Sequence, residues 1–161
     1  RDVERSRGLG DVYKRQHKPA AVAAVIATLR SEIKGRLCVV LGAGGDRDAS
    51  KRAIMGREAA RGSDLFIVTD DNPRSEDPAV IRAAVEAGAY ELPTEERGEV
   101  RNIGDRAAAI RAAIAWAEPG DAVLVAGKGH ETGQNVNGVI HHFDDREEVR
   151  AALQERRTGS L

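Results

Sequence analysis

Apolar positions along this chain follow two alternating rhythms. Val22, Val25, Ile26, Leu29 and Ile33 recur at the spacing of a helix with one buried face. Residues 37–41 are then continuously apolar and run into glycines, the pattern of a strand covered on both sides. Residues 50–60 read as a second helix with Ile54 and Met55 inward, and residues 65–69 as a second buried strand. Asp77 followed by Pro78 predicts a helix start, with Asp as N-cap and Pro in the first turn, and Gly88 predicts its stop. A third strand is expected at 100–103, a helix capped by Asp105 to about Ala117 with Ile110 and Ile114 on one face, and a strand at 122–126. Residues 134–143 read as a hairpin or edge strand around Asn137-Gly138, and Asp145 begins a last helix. Residues 1–16 are polar, arginine-rich and aperiodic, and are expected to be a disordered or foreign leader. Residues 17–155 form the expected domain, and residues 156–161 a frayed tail.

Buried strands alternating with helices predict an α/β fold with a mostly parallel sheet. The chain has 161 residues, 41% of them hydrophobic and 32% charged, with a formal net charge of -1, which suits one soluble domain. The charge balance lacks the basic surplus of a nucleic-acid binder. No apolar run has the length of a membrane span and no secretory signal is visible, so a cytoplasmic location is expected. The single cysteine, Cys38, has no internal disulfide partner and reads as a small buried hydrophobe. Trp116, late on an amphipathic helix, reads as packing.

Ligands of open α/β sheets bind at the carboxyl ends of strands. Three such ends carry polar loops here. The first is Gly42-Ala43-Gly44-Gly45-Asp46-Arg47-Asp48, leading to Lys51 and Arg52. It is neither a dinucleotide fingerprint nor a P-loop. It reads either as a tight turn or as a place where backbone N–H groups and Arg47 receive an anion. Lys51 and Arg52 open a helix, where cations oppose the dipole; they are either a solvated face or phosphate-proximal. In the second loop, Asp70-Asp71-Asn72-Pro73-Arg74, the proline restricts Asn72 and itself. A guanidinium at Arg74 can grip a carboxylate with two parallel bonds, and Asp70 and Asp71 can accept from an ammonium group. The alternative is a solvent-exposed turn before the capped helix. The third loop is Gly127-Lys128-Gly129-His130-Glu131, where Glu131 suits an amine and Lys128 a phosphate, while His130 is either structural or catalytic. No metal site is expected at His141 and His142, because four-ligand spacing is missing.

GAGGDRDASKRAIMG, VTDDNPRSEDP and GKGHE, in this order and setting, resemble the C-terminal domain of the Mur ligase family, of the MurE type that adds diaminopimelate. The resemblance runs from about His17 to Ala152. It implies a Rossmann-like, mostly parallel sheet flanked by helices, with an edge antiparallel strand or hairpin. It also implies ATP-dependent acid–amino-acid ligation in peptidoglycan precursor synthesis. In that reaction a UDP-N-acetylmuramoyl dipeptide carboxylate is activated as an acyl phosphate and attacked by the amine of meso-diaminopimelate. Arg74, with Asn72 and Pro73, would then hold a diaminopimelate carboxylate; Asp71 would orient the loop or bind an amine; Arg47, Gly127 and Glu131 would complete the site. Lys128 and His130 are the only catalytic candidates.

The resemblance places ATP and Mg2+ mainly on domains this sequence lacks, together with the UDP moiety. The family's aspartate-tyrosine-alanine stretch before His17-Lys18-Pro19 is replaced by Tyr13-Lys14-Arg15-Gln16. A truncated fragment or a product of sequence assembly is therefore expected, inactive alone. The competing expectations are a stand-alone small-molecule-binding fragment without turnover and a related Mur or folylpolyglutamate-type ligase domain.

Overall fold

The computed structural model describes residues 2–6, 10–16, 19–127 and 132–161. Strands β1 (Asp2–Ser6) and β2 (Gly10–Gln16) precede helix α1 (Pro19–Glu32). There follow β3 (Leu37–Ala43), α2 (Arg52–Gly62), β4 (Leu65–Asp70), α3 (Pro78–Ala89), β5 (Glu99–Asn102), α4 (Arg106–Trp116) and β6 (Ala122–Gly127). A hairpin of β7 (Gly133–Val136) and β8 (Val139–His142) leads into α5 (Asp145–Arg157). The main sheet has the order β1-β2-β6-β3-β4-β5. All its pairings are parallel except β1 with β2.

The continuous apolar strands sort their side chains by parity. Leu37, Val39, Leu41, Phe66, Val68 and Leu124 face α1, α2 and α3. Cys38, Val40, Leu65, Ile67, Val123 and Val125 face α4 and α5. Each such side chain is fully buried and contributes about 1.5–3 kcal/mol. Cys38 lies in this core, and burial pushes its thiol far above the usual range, so it serves as packing. Trp116 packs partly against the same layer, with the Arg36 guanidinium 3.9 Å from its ring centroid.

Four details differ from the sequence reading. Residues 2–6 and 10–16 form paired strands, which their aperiodic sequence did not predict, with β2 in register with β6 from Asp11–Ala122 to Gln16–Gly127. Backbone N–H and C=O groups pair without any apolar pattern, and β6 otherwise offers them an open edge. Ile54 is half exposed whereas Met55 is buried. Gly88 does not end α3, which continues to Ala89; a Cβ there would stand 1.8 Å from the Ala53 carbonyl oxygen. Gly56 meets the Val85 carbonyl at the same distance, so the two glycines let α2 and α3 cross backbone to backbone. Finally, α5 runs into the expected tail and ends at Arg157, closed by Gly159 at positive φ, where Ser160 N–H bonds Glu155 O and Gly159 N–H bonds Arg156 O, a Schellman-type end.

Candidate functional site

The chain runs β3, β4, β5 to one side of β3 and returns with β6 on the other. This reversal makes the carboxyl ends of β3 and β6 a switch point. The loop after β3 and the loop after β4 meet there. Gly45 N–H donates to Asn72 O at 2.7 Å, and a Cβ on Gly45 would stand 1.9 Å from Pro73 O. Only a glycine permits that approach.

The hairpin β7–β8 supplies the third wall. It is a separate two-stranded sheet closed by Asn137 and Gly138, both at positive φ as a type I′ turn requires. It binds the loop after β4 through main chain and through the side chains of Asn72 and Gln134. Arg74 N–H donates to Asn135 O at 2.9 Å, Asn137 N–H to Arg74 O at 2.7 Å, and Asn135 N–H to the Asn72 side-chain oxygen at 2.9 Å. The Gln134 amide donates to Asp71 O at 2.7 Å. Asp71, Asn72 and Pro73 are buried as a result, and Arg74 is half-buried.

Arg74 sits at φ 52°, a left-handed conformation that costs a side-chain-bearing residue roughly 1–2 kcal/mol. The bonds on both sides of it hold it there. Its Nη1 donates to Gly45 O at 2.8 Å and to Asn72 O at 3.4 Å. Among the described residues, Nε and Nη2 make no hydrogen bond and no carboxylate pairs with this cation. The side-on donor pair of the fork therefore remains for a bidentate acid.

The remaining expected residues are distributed around this cation. Arg47 is exposed on the first loop and donates weakly to Asp46 O at 3.5 Å. Gly127, at φ 120°, ends β6 opposite Gly42. Lys51 is exposed. Arg52 is buried and engaged internally, with Nη2 2.7 Å from Glu76 and 3.3 Å from Gly44 O, so its charge is not presented to a phosphate. Asp70 is likewise not open to an ammonium group. It pairs with Arg82 at 2.6 Å, and burial pushes its carboxyl up against that pull. Lys128, His130 and Glu131 lie outside the described residues.

The sequence reading overlooked Arg106 and Asp145. Arg106 follows the N-cap Asp105 and forks onto Asp145, both at 2.7 Å, with both side chains wholly buried. The same guanidinium donates to Asp70 O at 3.2 Å and Ala126 O at 3.0 Å, near the ends of β4 and β6. The available signal was a cation in the first turn of a helix, where the dipole disfavours it. Asp46, Ser75, Glu76, Gln134 and Asn135 carried no such signal.

A doubly wound α/β domain with an arginine fork at its carboxyl rim, walled by the loops after β3 and β4 and by a hairpin, is the class of protein defined by this geometry. Residues 15–129 match the family described as Mur ligase, glutamate ligase domain, and the chain belongs to that family. It is 65% identical over 147 residues to the UDP-N-acetylmuramoyl-L-alanyl-D-glutamate--2,6-diaminopimelate ligase of Corynebacterium glutamicum, covering 90% of this chain and 28% of that protein. It is 68% identical over 140 residues to the protein of the same name from Corynebacterium efficiens, covering 86% and 27%. A solved structure of a ligase with that name superposes with a TM-score of 0.88 at 38% identity, over 97% of this chain and 31% of the other. The chain thus spans less than a third of the length of these relatives.

Proposed function

We propose that this chain is the amino-acid-receiving domain of an ATP-dependent ligase that adds meso-diaminopimelate to UDP-N-acetylmuramoyl-L-alanyl-D-glutamate in cytoplasmic peptidoglycan precursor synthesis. The observation that carries this reading is the Arg74 fork, held rigid by Gly45 and Asn72 with Nε and Nη2 left for a carboxylate. A diaminopimelate has a second acid group at its far end and lysine has none, so a fork at this place selects the former. The names of the similar ligases support the same substrate. Asn72 and Pro73 shape the loop, Asp71 would orient it or bind an amine, and the resemblance assigns Arg47, Gly127 and Glu131 to the amino-acid site.

The role of the domain is positioning. An amine fixed by its distant carboxylate is presented to the acyl carbon in a narrow range of directions, which replaces a bimolecular encounter by a local one. The attacking nitrogen forms the amide bond as phosphate leaves the acyl carbon. The described residues do not fit ATP and Mg2+: Arg52 is paired with Glu76, no three metal-ligating side chains cluster among them, and the sequence contains no P-loop. Nucleotide and metal would be held mainly by parts of the ligase beyond the span of this chain. Among the described residues, no helix is long and apolar enough to cross a membrane.

The test is a two-dimensional NMR titration of the chain with meso-diaminopimelate. Saturable shifts at the amides of Arg47, Asn72 and Arg74 are expected. Shifts spread at random over the surface, or none at millimolar ligand, would refute the reading.

A further inference from the structure

We propose that Asp46, Ser75 and Glu76 form a clasp between the first two loops that positions the Arg74 guanidinium and thereby sets the preference for an amino acid with two acid ends. This deepens the functional reading above and rests on it.

The clasp is reciprocal. The Asp46 carboxylate, on the loop after β3, accepts from Ser75 Oγ at 2.7 Å and from Ser75 N–H at 3.3 Å. The Glu76 carboxylate, on the loop after β4, accepts from Asp46 N–H at 2.5 Å and from Arg52 Nη2 at 2.7 Å. Arg52 reaches back to Gly44 O. Each loop thus contributes an acid that binds main chain on the other. Such charge-assisted bonds are short and directional.

Its position explains its consequence. Asp46 and Arg74 are both left-handed, at φ 53° and 52°, a conformation that aspartate tolerates better than most residues but that arginine keeps only with outside support. Asp46 holds the residue that follows Arg74, and Glu76 holds the amide of Asp46, which itself follows the Gly45 carbonyl gripping Arg74 Nη1. The clasp therefore fixes both ends of the guanidinium's support without touching the substrate. Loosening it lets Arg74 rotate out of register with a distal carboxylate, while an amino acid lacking that group has nothing to lose.

The experiment compares the wild-type chain with Asp46→Ala, Ser75→Ala and Glu76→Gln by calorimetric titration with meso-diaminopimelate and with lysine. Hydrogen exchange is followed at the Gly45 and Arg74 amides. These side chains are exposed or half-exposed, and thermal midpoints near wild type are expected. Diaminopimelate affinity should fall about tenfold in each variant with lysine affinity unchanged, and exchange at Gly45 and Arg74 should quicken tenfold or more while β3 and β4 stay protected. Equal losses for the two ligands, or unchanged diaminopimelate affinity, would overturn the proposal. Should wild type show no preference for diaminopimelate, the functional reading fails. The exchange result then decides the clasp by itself: unchanged rates at both amides sink it.

Discussion

Arg106 and Asp145 form a bidentate ion pair with no exposed atoms, at the point where α4, α5, β4 and β6 converge. Two charges taken wholly out of water repay their desolvation only when every donor is used. Here the fork's other bonds go to the carbonyls of Asp70 and Ala126, beside the two loops that wall the candidate site. The pair is thus part of the framework of the rim.

Removing one partner should strand a buried charge. Arg106→Met is expected to cost about 3–5 kcal/mol in urea unfolding. The double variant Arg106→Met with Asp145→Leu should recover part of that loss, but not all, because the Asp70 and Ala126 carbonyls remain without their donor. A double variant less stable than the single would contradict this account.

The α2–α3 crossing makes a separate prediction. Gly56→Ala and Gly88→Ala each place a methyl 1.8 Å from a carbonyl oxygen of the facing helix. The helices must separate, at about 1–3 kcal/mol apiece. A thermal midpoint unchanged in either variant would show that the helices are less tightly apposed.

The clasp carboxylates titrate in a predictable direction. Hydrogen bonds from Ser75 hold the Asp46 carboxyl below its usual value, and bonds from Arg52 and the Asp46 amide do the same for Glu76. A lowered folded value means that their contribution is present above the unfolded value of about 4 and is lost as pH falls through the lower, folded one. Exchange protection at the Arg74 amide, corrected for intrinsic rate, should therefore hold at neutral pH and decline only below about pH 4. Loss beginning near pH 6 would point to another group.

Much of the architecture was legible because it rests on local patterns. The residues of β3, β4 and β6 are continuously apolar because both faces are covered, and Asp77 and Asp105 cap helices by accepting from the amide two residues on. The Arg74 loop stood out because a proline and an arginine interrupt a strand end. Residues 2–6 and 10–16 escaped notice because strand pairing uses backbone groups that every sequence has. Arg52 and Arg106 were misjudged or missed because their partners, Glu76 and Asp145, lie 24 and 39 residues away, and sequence spacing gives no sign of such a meeting. Gly88 was read as a helix stop because its other use, letting a neighbouring backbone in, depends on a second helix.

The most direct test is the ligand preference of Arg74 variants, by calorimetric titration of the chain with meso-diaminopimelate and lysine. Wild type should prefer diaminopimelate. Arg74→Ala should lose roughly 10- to 100-fold of that affinity, the worth of a charge-assisted fork, with lysine affinity unchanged. Arg74→Lys, which keeps the charge without the fork, should recover only part of it. Parallel losses for both amino acids, or full affinity in Arg74→Ala, would contradict the assignment.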